Sequence, residues 1–204
     1  ERAASLDYKP VAAPQRSTAS PYFGFTYTVL VPLLLFLPPF ISGSIAVDAI
    51  TEEIERGTLE LLRVAPVSLV DVVEGKAIGM ILLAPAQVGL WLGLLWLNGI
   101  AISNPLSLVA LVTAVTTIVV VLGVLLGLVT RQRRRAQLLY SVLVLVLFGL
   151  AALLPEHPAT TVAKLAVASG TTLTLVHVVV FVLLAIGTYA GMRRFVTRVD
   201  PETL

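Results

Sequence analysis

The reactive side chains of this 204-residue sequence allow few kinds of chemistry. Gly75-Lys76 invites a phosphate-binding reading, but a phosphate-cradling loop needs G-x-x-x-x-G-K followed by Ser or Thr. Here Val70 stands five residues before Gly75, and Ala77 follows Lys76. Ser44 and His177 are the minimum pair for a nucleophile and its base. They fall toward opposite ends of two different apolar stretches, however, which separates them by about 20 Å or more at 1.5 Å per residue. His157 beside Glu156 offers two metal ligands, too few for a site. There is no cysteine, and Met80 and Met192 are the only thioethers, so thiolate chemistry and a soft-metal pathway are excluded. No catalytic residue, metal or cofactor is assigned to this chain. His177 is the one ionisable side chain, tyrosines apart, well inside an apolar stretch. Such a residue is either a satisfied structural histidine or part of a substrate or proton path, and the structural role is preferred.

Charge is dense only over residues 49–76, AITEEIERGTLELLRVAPVSLVDVVEGK, with six acids and three bases. Ile50, Ile54, Leu61, Leu62 and Ala65 share one helical face, while Glu52, Glu53, Glu55, Arg56, Glu60 and Arg63 take the others. Glu52 and Arg56 have the favourable i,i+4 orientation. Gly57 interrupts this helix and Pro66 ends it. Ser68 with Asp71 three residues on forms a capping box for a new helix, which can run directly into the following apolar stretch. An anionic membrane surface repels so acidic a helix; a protein partner or a self-contained hairpin suits it better.

The elements that hold this segment are membrane spans. The sequence is 57% apolar and 13% charged, about half the charge of an average soluble domain. A span takes about 20 apolar residues, and five stretches qualify: about 23–47, 77–97, 106–129, 138–154 and 171–192, none with an Asp, Glu, Lys or Arg in its interior. The expected fold is all-α, a polytopic membrane helical bundle. Pro32, Pro38 and Pro39 predict a kink in the first span. Gly75/Gly79, Gly89/Gly93, Gly123/Gly127 and Gly187/Gly191 are spaced for close helix packing, with packing inside the chain preferred over a dimer contact. A net charge of +2 gives no reason to expect nucleic acid.

Basic residues set the orientation. Arg56, Arg63 and Lys76, then Arg131, Arg133, Arg134 and Arg135, then Arg193, Arg194 and Arg198 lie in alternate connections and the tail, against Lys164 alone in the others. Residues 49–76, the Arg cluster and the C-terminus are thus expected in the cytoplasm, and residues 1–22 outside. Reaching the outside calls for a further span before Glu1, or else translocation of the tail. The Arg131–Arg135 cluster serves topology and anionic lipid headgroups, with contact to a partner as the lesser alternative. Trp91, Trp96, Tyr22, Tyr27 and Tyr189 suit positions near span ends or lipid-facing packing.

Glu53-x-Glu55-Arg56-Gly57-Thr58-x-Glu60-x-Leu62, then Ala65-Pro66-Val67-Ser68 and Glu74-Gly75-Lys76, resembles the cytoplasmic segment after the second span of type 2 ATP-binding-cassette permeases, particularly the sodium-efflux and drug-export branch. The match covers about 25 residues; the other spans agree in number and spacing only. The resemblance implies that Glu52, Glu53, Glu55, Arg56, Gly57, Thr58, Glu60, Leu62, Pro66, Gly75 and Lys76 form a coupling element. It implies a separate ATPase subunit that carries ATP and Mg, a second permease subunit in a homo- or heterodimer, and export of a substrate. It also places this chain as the C-terminal five-span portion of a permease, residues 1–22 being the end of an outer domain, with a short outer helix within 155–170. A membrane assembly protein that recruits a soluble partner without transport is the alternative.

Overall fold

A computed structural model describes residues 21–57 and 68–199. Thr58, Glu60, Leu62 and Pro66 of the expected coupling element lie outside the described residues, as do residues 1–20. The first apolar stretch is one unbroken helical rod: α1 (Pro21–Phe25), a π-helical segment (Thr26–Leu30) and α2 (Val31–Glu55). The wide turn falls immediately before Pro32, which lacks the N–H that an α-helical register would use there. Instead the Val31 N–H reaches back to the Thr26 carbonyl. Pro38 and Pro39 are accommodated inside α2, which continues past them.

The remaining elements are α3 (Leu69–Leu97), α4 (Pro105–Thr130), α5 (Arg133–Leu150) with a 3₁₀ turn (Ala151–Leu153), α6 (Pro158–Ala166) and α7 (Thr172–Val196). Five helical segments are long and apolar enough to cross a membrane: Tyr22–Glu55, Leu69–Leu97, Pro105–Thr130, Arg133–Leu153 and Thr172–Val196. At 1.5 Å per residue, Tyr22–Glu55 is about 50 Å long, well beyond a hydrocarbon core of about 30 Å. Its last turns therefore project beyond the bilayer as a continuation of the span. The separate helix expected after residue 49 begins instead as the end of α2, which stops at Glu55 ahead of Gly57, in the left-handed region at φ +65°.

α4 is the centre of the bundle, touching α2, α3, α5, α6 and α7. Its buried residues join two apolar layers. One, at the end that holds α6, contains Leu35, Leu111, Val112, Val162 and Leu165. The other, at the arginine-rich end, contains Ile50, Val73, Val124 and Met192. Outward faces remain apolar: Leu33, Leu37, Ile41 and Ile45 form an exposed stripe on α2, and α5 exposes Leu138, Val142 and Leu145. A water-soluble monomer does not carry so much contiguous apolar surface; a bilayer covers it.

Of the four glycine pairs, one packs within the chain. A Cβ on Gly123 would fall 2.5 Å from the Gly43 carbonyl oxygen, and one on Gly127 would fall 3.0 Å from Ile50. α2 and α4 therefore approach backbone to backbone. Among the described residues, nothing lies within 4 Å of where a Cβ would stand on Gly75, Gly79, Gly89, Gly93, Gly187 or Gly191, which corrects the expectation that all four pairs serve internal packing. On α3 the buried face is Val73, Ala77, Ala84, Val88 and Leu92, and the glycines lie on the opposite side.

Candidate functional site: a charged frame at one end of the bundle

The link between α4 and α5 is two residues long and turns on Arg131, which closes α4 in the left-handed region at φ 54°. This turn brings the first residue of α5, Arg133, against α2. Its Nε donates to Asp48 Oδ1 at 2.8 Å. Its backbone N–H donates to Glu55 Oε1 at 2.9 Å, so Glu55 satisfies an otherwise orphaned donor at the N-terminus of α5, where a negative charge is favoured by the helix dipole. One turn on, Gln137 Nε2 donates to Asp48 Oδ1 at 2.8 Å and to the Ser44 carbonyl at 2.9 Å, while Ser44 Oγ donates to Gln137 Oε1 at 3.1 Å. Tyr140 completes the seam, its hydroxyl donating to the Phe40 carbonyl at 2.8 Å. Gly43 makes room for this ring, since a methyl group there would overlap the Tyr140 hydroxyl.

Two further contacts extend the frame. Lys76 Nζ lies 2.8 Å from Glu53 Oε1, joining α3 to α2 across the two ends of the 49–76 segment. Glu74 Oε1 accepts from Tyr189 Oη at 2.7 Å and from Arg193 Nε at 2.8 Å, joining α3 to α7. Glu52 and Arg56 pair at 2.6 Å as their spacing predicts. The Ser68–Asp71 capping box is formed in both directions, at 3.2 and 3.1 Å, and α3 runs from it straight through the span.

Residues flanking the charge-dense segment are thus held by α3, α5 and α7. Glu53, Glu55 and Lys76 brace neighbouring helices, and Arg133 is bound to Asp48 rather than serving only as a surface charge. Gly75 lies on the open face of α3; Arg131, Arg134 and Arg135 lie in the exposed α4–α5 turn and the first turn of α5. Sequence reasoning passed over Gln137, Tyr140, Glu74, Tyr189 and Arg193 as members of the frame. The only local signal was the matched i,i+4 spacing of Ser44/Asp48 and Arg133/Gln137, which does not say that the two pairs meet.

At the other end, α6 packs against α2, α4 and α7. Glu156, buried to 4% exposure, binds Lys164 Nζ at 2.5 Å and accepts from Thr174 Oγ1 at 3.2 Å. The Lys164 hydrogen bond holds its carboxyl below the ordinary value of 4.5 against the opposing effect of burial, and the Thr174 hydroxyl and the charges of Lys164 and His177 act in the same direction as Lys164. His177 lies one turn beyond Thr174, buried, with Nδ1 2.9 Å from the Leu173 carbonyl. Because a carbonyl only accepts, Nδ1 carries the proton. His177 is thus a satisfied core histidine bonded to backbone. Among the described residues no group of three or more His, Cys, Asp or Glu is placed to hold a metal.

A cavity of about 330 Å³ opens among α2, α4, α5 and α7, walled by Phe36, Phe40, Phe148 and Phe181. Phe40 and Phe148 meet edge to face at 5.8 Å, and Phe148 meets His157 at 4.7 Å.

The described residues form a helical membrane bundle of five spans, with both ends of the connection between its first two spans braced by ion pairs. The family described as ABC-2 family transporter protein matches residues 1–169, and the chain belongs to that family. It is a multi-pass membrane permease of the ABC transporter class. No curated protein and no solved structure matches it.

Proposed function

We propose that this chain is the C-terminal five-span portion of an exporter permease of the sodium-efflux and drug-export branch, driven by ATP hydrolysis on a separate nucleotide-binding subunit. In this reading residues 1–22 end an outer domain, the 49–76 segment docks on the ATPase from the cytoplasm, the C-terminus is cytoplasmic, and a second permease subunit completes the path. ATP and Mg belong to the partner. The observation that carries the reading is the frame at the arginine-rich end. A helix connection that only linked two spans would need no bonds to α5 and α7. Here Asp48–Arg133 ties one side of it to α5 and Glu74–Arg193 ties the other to α7, while Glu53–Lys76 joins the two sides to each other. Displacing the segment therefore moves four spans together, the rigid-body response that alternating access requires.

Expression together with its neighbouring genes, followed by affinity purification through this chain and a search for a co-purifying P-loop ATPase, tests the reading. A stable complex that hydrolyses ATP is the expected result. If the ATPase is not retained, the protein recruits some other partner and the assembly role replaces transport.

A further inference from the structure

α3 and α7 both pack on α4 but barely on each other, leaving a slot of about 640 Å³ between them. Its floor is made of small residues of α4, Ala110, Thr113, Ala114 and Thr117. Both threonine hydroxyls are spent on their own helix, Thr113 on the Val109 carbonyl at 2.7 Å and Thr117 on the Thr113 carbonyl at 2.8 Å. Water in this slot would find few partners, and apolar space of such size stays dry or takes an apolar guest. Along α7 the lining runs from Val182 to Arg193, about 16 Å at 1.5 Å per residue. That is about half of a 30 Å hydrocarbon core, the depth of one leaflet.

The slot ends on a cation. Arg193 gives its Nε to Glu74, while its terminal amino groups have no partner among the described residues and its side chain is 56% exposed. The nearby acids are already engaged: Glu74 by Tyr189 and Arg193, Asp71 by Ser68. Arg194 follows on the same exposed turn. An apolar channel one leaflet deep, with guanidinium donors at its mouth, matches one acyl chain and the phosphate of a glycerophospholipid. We infer that the α3–α4–α7 slot is a binding site for an anionic phospholipid of the leaflet at the arginine-rich end, its acyl chain between α3 and α7 and its phosphate on Arg193. This site is independent of the transport reading.

The test is lipid retention. The full chain is reconstituted in phosphatidylcholine vesicles containing phosphatidylglycerol, extracted in mild detergent, and examined for bound lipid by native mass spectrometry. The wild type is expected to retain phosphatidylglycerol preferentially. Arg193→Gln is expected to lower that preference about fivefold, the equivalent of about 1 kcal/mol for one basic residue near an anionic surface. Ala190→Phe, which fills the slot from an exposed position on α7, is expected to abolish retention of both lipids. Glu74→Gln breaks the same ion pair from its other side but leaves the cation in place, so it should keep or raise retention. The proposal is overturned if the wild type shows no preference, if Arg193→Gln or Ala190→Phe retains phosphatidylglycerol as the wild type does, or if Glu74→Gln loses it as Arg193→Gln does.

Discussion

The Nε of Arg133 lies 2.8 Å from Oδ1 of Asp48 across 85 residues of sequence, one of several bonds that set the first and fourth membrane helices against each other at the charged end. The same carboxylate oxygen takes Gln137 as well. Asp48→Asn is therefore expected to leave membrane insertion unchanged and lower the thermal unfolding midpoint in detergent. A charge exchange, Asp48→Arg with Arg133→Asp, should recover part of the loss. A midpoint unmoved by Asp48→Asn would mean that the Asp48 carboxylate adds nothing to what the Glu55, Ser44 and Tyr140 contacts already hold.

Glycine substitutions should sort by contact rather than by spacing. At Gly123 an added methyl meets the Gly43 carbonyl, a backbone atom that cannot step aside, so Gly123→Ala is expected to cost about 1–3 kcal/mol as an overpacking change. Gly89→Ala meets nothing among the described residues, and the better helix propensity of alanine should make it neutral or a gain of about 0.5–1 kcal/mol. Thermal unfolding of the purified chain distinguishes the two. A large loss at Gly89 would reveal a neighbouring helix on that face.

Acid should loosen the α6 end. The Glu156 carboxyl is held below its ordinary value of 4.5, so its contribution to stability is fully present above that value and is lost as pH falls through the lower folded value. Glu156→Gln is expected to cost about 1.5–3 kcal/mol at neutral pH, as for a hydrogen bond to a charged group, and to flatten the acid limb of the stability profile. Unfolding midpoints measured from neutral pH downward check this. An acid limb of the wild-type shape in Glu156→Gln would contradict it.

The coupling reading makes a functional prediction that rests on the proposed ATPase partner. Alanine at Glu55, Arg56 and Glu60 together should leave the chain in the membrane but uncouple or detach the ATPase. Because Glu55 also receives the Arg133 N–H, Arg56→Ala with Glu60→Ala is the cleaner variant. Substrate-stimulated ATP hydrolysis at the wild-type level would count against a coupling role. Glu74→Gln should lower coupling while keeping ATPase association, since it releases α7 from α3 and leaves Glu55, Arg56 and Glu60 in place.

Much of the architecture could be read without coordinates. Five apolar stretches long enough to span, the Ser68–Asp71 cap and the helix break at Gly57 are local properties, set by hydropathy, side-chain hydrogen bonding over three residues and backbone freedom. The structure bears out each of them. Family membership was readable too, because the Glu, Arg-Gly-Thr, Pro and Gly-Lys order is a local string.

The charged frame was hidden because it is assembled from residues far apart in the chain. Asp48 stands at the end of an apolar stretch with no partner nearby in sequence, and the two-residue α4–α5 turn delivers Arg133 and Gln137 to it. Glu74 and Arg193 each lie just beyond an apolar stretch, and only the shared docking of α3 and α7 on α4 makes them partners. The glycines show the same division: i,i+4 spacing puts each pair on one face, but which face is covered depends on what packs there, and among the described residues only the Gly123/Gly127 pair meets another helix. Apolar period and charge placement dictate that there are five spans and which ends share a side. Which polar groups pair across that side is decided by the tertiary fold, because an ion pair or a close helix contact depends on distances of a few ångströms that no local pattern encodes.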